Sequence, residues 1–292
     1  MVMEDALTVE HLNKNFDHFS LNDITFSLPE GMVLGIIGEN GSGKSTLIRC
    51  ILGQDVPSSG AIRMYGINPA EDIRIHEKIG AAFDQCCFPE EFTVGQISKA
   101  LKKLLPGWDE KIFEKTIAGT DIRMNSKIRT LSKGMKARVS LAAAISHDAS
   151  LIVLDEATSG LDPVVREDMI DLLMKYLQED PKRSMLMTSH ITSDIEKAAD
   201  LILMIQDGKI VFLIEKDVLA ENYGLARLKS DQLNFLKPDL ISRIREQEFF
   251  IEALITDRNE FIRRYPDYEI SPASLDDVIV MYRKGHLYET EN

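Results

Sequence analysis

The stretch Gly38-Glu39-Asn40-Gly41-Ser42-Gly43-Lys44-Ser45 decides how the rest of the chain is read. Its glycines let the backbone curl until successive N–H groups point at one centre. The helix that follows adds its positive N-terminal end. In such a loop Lys44 reaches the β- and γ-phosphates of a nucleotide, and the Ser45 hydroxyl ligates Mg²⁺. The flanks agree with that reading. MVLGII (32–37) is an apolar run of buried-strand length, and STLIRCIL (45–52) has a helical pattern.

LTVEHL (7–12) and ITFSL (24–28) read as strands upstream of that loop. LIVLD (151–155), SMLMTS (184–189) and LILMI (201–205) read as strands downstream, with a long helical stretch between the first two of these. Strand–helix alternation of this kind predicts an α/β domain with a mostly parallel sheet. Asp162 is placed to cap a helix with Pro163 at its first position. Gln206-Asp207-Gly208-Lys209 joins two strand-like runs and reads as a hairpin turn. After Tyr223-Gly224 the character changes. FFIEALIT (249–256) reads as a strand and RNEFIRRY (258–265) as a short helix. SLDDVIVMYRKG (274–285) reads as a last helix capped by Ser274 with Asp277 at its third position. Residues 224–292 are expected to form a small α+β appendage.

Two more places carry chemistry. The run LIVLDE delivers Asp155 at a strand tip, where a carboxylate can hold the Mg²⁺ shell beside the phosphate loop. Glu156 adds a second carboxylate able to polarise an attacking water. Between these acids and the phosphate loop lies Leu131-Ser132-Lys133-Gly134-Met135, followed by the helical stretch KARVSLAAAI (136–145). Ser132 can cap that helix. Ser132, Gly134 and the helix N-terminus can also form a second anion site. One loop already cradles the phosphates, so the second would serve the opposite face of a nucleotide, as a dimer allows.

Composition narrows the partners. The 292 residues carry a formal net charge of −13. Such a surface repels phosphate backbones, so nucleic acid is not expected as a partner. The three cysteines, Cys50, Cys86 and Cys87, suggest no disulfide framework and a reducing compartment. The N-terminus, MVMEDALTVEHLN, lacks a signal-peptide pattern. No apolar stretch approaches ~18 residues, so a membrane role is expected to come through a partner. Asn13-Lys14-Asn15-Phe16 does not supply the Asn-Lys-x-Asp guanine reader, and it precedes the phosphate loop.

In these motifs and their order, residues 6–222 resemble the ATP-binding-cassette (ABC) ATPases. The resemblance implies a phosphate-loop NTPase fold over residues 1–223, with a RecA-like core, an antiparallel β subdomain and a helical subdomain over about 86–148. It implies ATP and Mg²⁺ as ligands. Gly38, Asn40, Gly41, Ser42, Gly43, Lys44, Ser45 and Thr46 would bind ATP, with Phe16 of KNFDHF (14–19) stacking on adenine. Gln85 of GAAFDQ (80–85) would hold Mg²⁺ with Ser45 and Asp155. Glu156 would act on the attacking water, and His190 of MTSH (187–190) would contact the γ-phosphate. Ser132 and Gly134 resemble the signature motif, and Ser159–Asp162 the loop that crosses a dimer interface. The signature departs from its usual form at Lys133 and Met135, and Lys133 would bring charge to the partner's nucleotide.

The KGMK signature, the SGLDP run and the small C-terminal appendage resemble the ATPase subunits of bacterial drug and peptide exporters. Bacitracin-type and phenol-soluble-modulin-type systems are included among these. That likeness implies a second cassette subunit, identical or different, a separate transmembrane permease and a place at the cytoplasmic face of a bacterial membrane. The alternative class is a soluble cassette ATPase acting on ribosomes or DNA. Those on ribosomes usually hold two cassettes and those on DNA a long coiled coil, whereas here one phosphate loop and no heptad run are found. The permease is expected on Cys86–Phe92, where two aromatics and two cysteines share a loop. Phe88 and Phe92 filling the domain's own core is the other reading of that loop.

Overall fold

A computed structural model describes residues 4–233 and 235–288. The chain divides into two compact units, Met1–Leu213 and Ile214–Asn292.

The first unit runs β1 (Asp5–Asn15), β2 (Ser20–Pro29), β3 (Val33–Ile37), α1 (Lys44–Ile51), β4 (Ser59–Met64), β5 (Ile79–Phe83), α2 (Val94–Leu104), α3 (Glu110–Ile117) and α4 (Lys133–Ile145). It continues with β6 (Leu151–Asp155), α5 (Pro163–Gln178), β7 (Ser184–Thr188), α6 (Thr192–Ala198), β8 (Leu201–Gln206) and β9 (Lys209–Glu215), whose last two residues belong to the second unit. A six-stranded sheet has the order β5-β6-β7-β3-β8-β9. From β5 to β8 the neighbours are parallel. Residues 151–154 and 184–188 are buried throughout, as strands covered on both faces must be. An antiparallel sheet, β2-β1-β4, stands beside it. Leu7, Val9, Leu21, Ile24 and Leu28 of that sheet share one core with Leu34 and Ile36 of the parallel one and with Leu47 of α1. Helices α2–α4 close around a separate core that includes Val94, Ile97, Phe113, Ile117 and Val139.

The Asp-Gly turn forms as read. Asp207 and Gly208 both have positive φ, 49° and 72°, the pair of left-handed residues that a tight hairpin between right-twisted strands requires. Gly208 also has no room for a side chain, since a Cβ there would stand 1.8 Å from the Ser20 carbonyl oxygen.

The second unit contains α7 (Lys216–Asn222), β10 (Gly224–Leu228), α8 (Ser230–Leu233), β11 (Ile241–Glu246), β12 (Ile251–Ile255), α9 (Arg258–Arg264), β13 (Ile270–Pro272), α10 (Leu275–Lys284) and β14 (His286–Leu287). All five strands pair antiparallel in the order β13-β10-β12-β11-β14. Phe261, fully buried, sits in its core with Leu228, Ala253 and Ile255. Ser274 and Asp277 form a reciprocal capping box at α10. The sequence suggests a boundary after Tyr223, but the compact division falls at Leu213/Ile214. The helix α7 accounts for the difference: it packs on α9 and β13, so it belongs with the appendage.

Candidate functional site

The phosphate loop leaves β3 and ends in α1. Gly43 stands at the helix N-cap with φ 113°, a conformation that side chains rarely adopt. A Cβ there would also lie 2.5 Å from Leu21 Cδ2. Lys44 is buried, at 4% exposure, and its ammonium donates to the carbonyls of Gly38 (2.9 Å) and Glu39 (3.0 Å). Those bonds pre-aim the charge into the loop's own hollow. Its remaining neighbour is Glu156 Oε1 at 3.4 Å.

The acids arrive from β6. Asp155 Oδ1 accepts hydrogen bonds from Ser45 Oγ (3.2 Å) and Thr188 Oγ1 (2.7 Å). Glu156 follows with φ 49°, a left-handed conformation unusual outside glycine. Its N–H donates to Thr188 Oγ1 at 3.0 Å, which holds the turn in place. Glu156 Oε2 lies 3.2 Å from His190 Nδ1. Glu156 thus stands between a lysine and a histidine, with its carboxylate positioned by both.

A cavity of about 1000 Å³ opens in front of these groups. Asn40, Gly41, Gly43, Lys44, Ser45, Thr46, Gln85, Asp155 and Glu156 of the expected set line it. Ser45, Asp155 and the Gln85 side chain offer only hard oxygen donors plus an amide, a set that fits Mg²⁺. Phe16, Gly38, Ser42, Ser132, Gly134, Asp162 and His190 do not line this cavity; of these, Gly38 reaches it only through its carbonyl's bond to Lys44, and Ser42 is buried within the loop. Phe16 is 44% exposed just past the end of β1, with the Lys14 ammonium over its ring. His18 and Phe19 line the cavity instead. Ser132 caps α4, accepting from Met135 N–H at 3.2 Å, and Asp162 caps α5, accepting from Val164 N–H at 2.9 Å. Of the two aromatics after Gln85, Phe88 packs on the helical core and Phe92 is 43% exposed.

Three residues have a supporting role here that no motif in the sequence signals. Thr188 fixes both acids, and its one trace in the sequence is a polar residue at the tip of an apolar strand. Gly208 donates from its N–H to the Ser42 carbonyl at 3.0 Å, so the distant hairpin turn buttresses the phosphate loop. Asp194, 2% exposed, accepts from Thr158 Oγ1 (2.8 Å) and pairs with Arg166 Nε (3.1 Å), bracing both ends of the 159–162 loop. Asp194→Ala leaves the half-buried Arg166 guanidinium and the buried Thr158 hydroxyl without this partner and is expected to cost about 1–3 kcal/mol, read as a fall in unfolding free energy in urea.

Comparison with known proteins agrees with this geometry. The family model described as "ABC transporter" matches residues 21–159. The chain is 31% identical over 215 residues to the bacitracin transport ATP-binding protein BcrA of Enterococcus faecalis, covering 72% of this chain and 70% of that protein. It is 28% identical over 290 residues to the Nod factor export ATP-binding protein I of Neorhizobium galegae, covering 90% of this chain and 80% of that one. Among solved structures, the ATP-binding cassette MJ0796, a dimer bound to ADP and phosphate, superimposes with a TM-score of 0.65 at 23% identity, covering 72% of this chain and 98% of that one. With the two strand-tip acids, the buried lysine and the phosphate loop assembled around one cavity, this chain belongs to the ABC transporter family as an ATP-hydrolysing, ATP-binding subunit.

Proposed function

We propose that this subunit pairs with a second cassette, a copy of itself or a different one, and powers export of a drug, peptide or other amphipathic cargo through a separate permease. The observation that carries the pairing is a site divided in space. Lys44, Asp155 and Glu156 face one cavity, whereas Ser132 and Gly134, at the N-terminus of a 13-residue helix, stand outside it. An anion site with no substrate in its own chain suits a nucleotide held by another. Export is supported by the alignment with the Nod factor export protein, which reaches into the appendage.

In this reading Lys44 and the loop amides hold the ATP phosphates, and the partner's signature segment covers the γ-phosphate. Glu156, held by Lys44 and His190, orients water in line with it. Mg²⁺, when bound through Ser45, Asp155 and Gln85, offsets charge on the β- and γ-phosphates. Closure is favoured by ATP and lost with ADP, so the permease follows the nucleotide state. Among the described residues no helix is long and apolar enough to cross a membrane, and the place proposed is the cytoplasmic face, held by the permease.

The test is purification of the tagged chain from membranes. A multi-span membrane protein should accompany it; ribosomes or DNA in its place would support the soluble reading. Phe92 borders a groove on α2 with Gln96, Lys99, Lys103 and Leu104, and it is the exposed aromatic of the expected docking segment. Phe92→Asp should therefore leave ATPase activity unchanged and abolish that co-purification, whereas Phe88 contributes to the fold. Phe16, just before the cavity-lining His18 and Phe19, is proposed as the adenine platform. Phe16→Ala should weaken ATP binding by roughly 1–3 kcal/mol in a titration. An effect confined to His18→Ala would move the platform there.

A further inference from the structure

Lys133 occupies a position where an isolated helix would disfavour it. It is the first residue of α4, whose first turn holds no acid and also carries Lys136. A cation at a helix N-terminus meets the positive end of the dipole and needs a nearby anion. Asp84 supplies it: Lys133 Nζ stands 2.6 Å from Asp84 Oδ1. The same ammonium lies against the 159–162 loop, where a Cβ on Gly160 would be 3.1 Å from it. Asp84 is itself tied to the catalytic strand, since its N–H donates to the Asp155 carbonyl at 2.9 Å. It also precedes Gln85 and lines the nucleotide cavity, which Lys133 does not. One side chain therefore fastens the signature segment to two other loops of its own subunit.

We propose that Lys133 is a phosphate-sensing latch: it holds Asp84 in the free subunit and leaves it for the γ-phosphate of the ATP bound by the partner cassette. This rests on the paired reading above. Both members of the pair are about half exposed, and such pairs contribute little to stability, so the contact breaks at low cost. A γ-phosphate carries more negative charge than one carboxylate and is also favoured by the N-terminus of α4. The exchange releases the Gln85 and Gly160 loops as the dimer closes. Asp84 thus opposes closure by competing for Lys133, and Lys133 promotes closure by binding phosphate.

The two residues should therefore have effects of opposite sign, which a purely structural ion pair would not show. The experiment is ATP titration of dimer formation by light scattering, with Glu156→Gln in every chain to prevent turnover. Lys133→Met should raise the ATP concentration for half-maximal dimerisation by about tenfold or more, the size of one charge-assisted hydrogen bond. Asp84→Asn should lower it, and the double variant should match Lys133→Met alone. ATP binding to the Lys133→Met monomer should be unchanged. Shifts of the same sign, no shift, or an Asp84→Asn effect that persists without Lys133 would each overturn the latch. A Glu156→Gln parent that binds ATP and stays monomeric at all concentrations would instead overturn the paired reading, whatever Lys133 does.

Discussion

Glu156→Gln is expected to cut ATP turnover by about 10²–10⁴-fold, the range of a lost general base, while ATP binding persists. The substitution keeps the side chain's shape and removes its charge and basicity. The environment explains why that matters. The carboxylate is largely enclosed, with Lys44 Nζ at 3.4 Å on one oxygen and His190 Nδ1 at 3.2 Å on the other. Its backbone is held in a left-handed conformation at φ 49°. Such strain persists where surrounding contacts impose it, here the Thr188 hydroxyl and carbonyl that accept from the Glu156 N–H. Steady-state phosphate release at saturating ATP, alongside a binding titration, separates the two effects. Hydrolysis at the parental rate would assign the water to another residue.

Lys44→Met is expected to act on binding rather than on the chemical step. The lysine is 4% exposed, and its aliphatic stem is replaced almost atom for atom. What disappears is the ammonium that the Gly38 and Glu39 carbonyls aim into the loop. Losing one member of a buried, hydrogen-bonded charge pair costs about 2–5 kcal/mol, so affinity for Mg·ATP should fall by roughly 30-fold to several thousand-fold. The loop itself should survive, because Gly43, the Gly208 turn and the Leu21 contact hold it independently. Isothermal titration with Mg·ATP checks the prediction, and unchanged affinity would contradict it.

Where function requires particular residues in particular order, the sequence was legible. The phosphate loop, the acidic strand tip and the Asp162-Pro163 helix start could be read because a turn, a charge or a cap restricts the choice of residue there. The Asp207-Gly208 hairpin was legible for the same reason, but its role under the phosphate loop was not. A single bond from Gly208 N–H to the Ser42 carbonyl joins segments far apart in the chain, and nothing local signals it. Strand β5, IGAAF, offers small residues in place of a β-branched alternation, so its bounds come from pairing with β6. The short strands β13 and β14 are likewise made by their partners. The Cys86–Phe92 loop looked uniform in sequence, yet it splits between a core-packing Phe88 and an exposed Phe92. Which way a loop side chain turns is a tertiary fact. The Lys133–Asp84 pair belongs to the same class, since 49 residues separate its members.

Pairing, in which a second cassette completes each nucleotide site, underlies every role proposed above. Its most direct measurement is the molar mass in solution of the Glu156→Gln chain with Mg·ATP, with Mg·ADP and without nucleotide, compared with the same chain carrying Ser132→Arg. Twice the monomer mass is expected with ATP and the monomer mass otherwise. The Ser132→Arg chain should remain monomeric with ATP still bound. ATP-saturated Glu156→Gln chains that stay monomeric, both alone and when mixed with any cassette subunit co-purified from membranes, would contradict it.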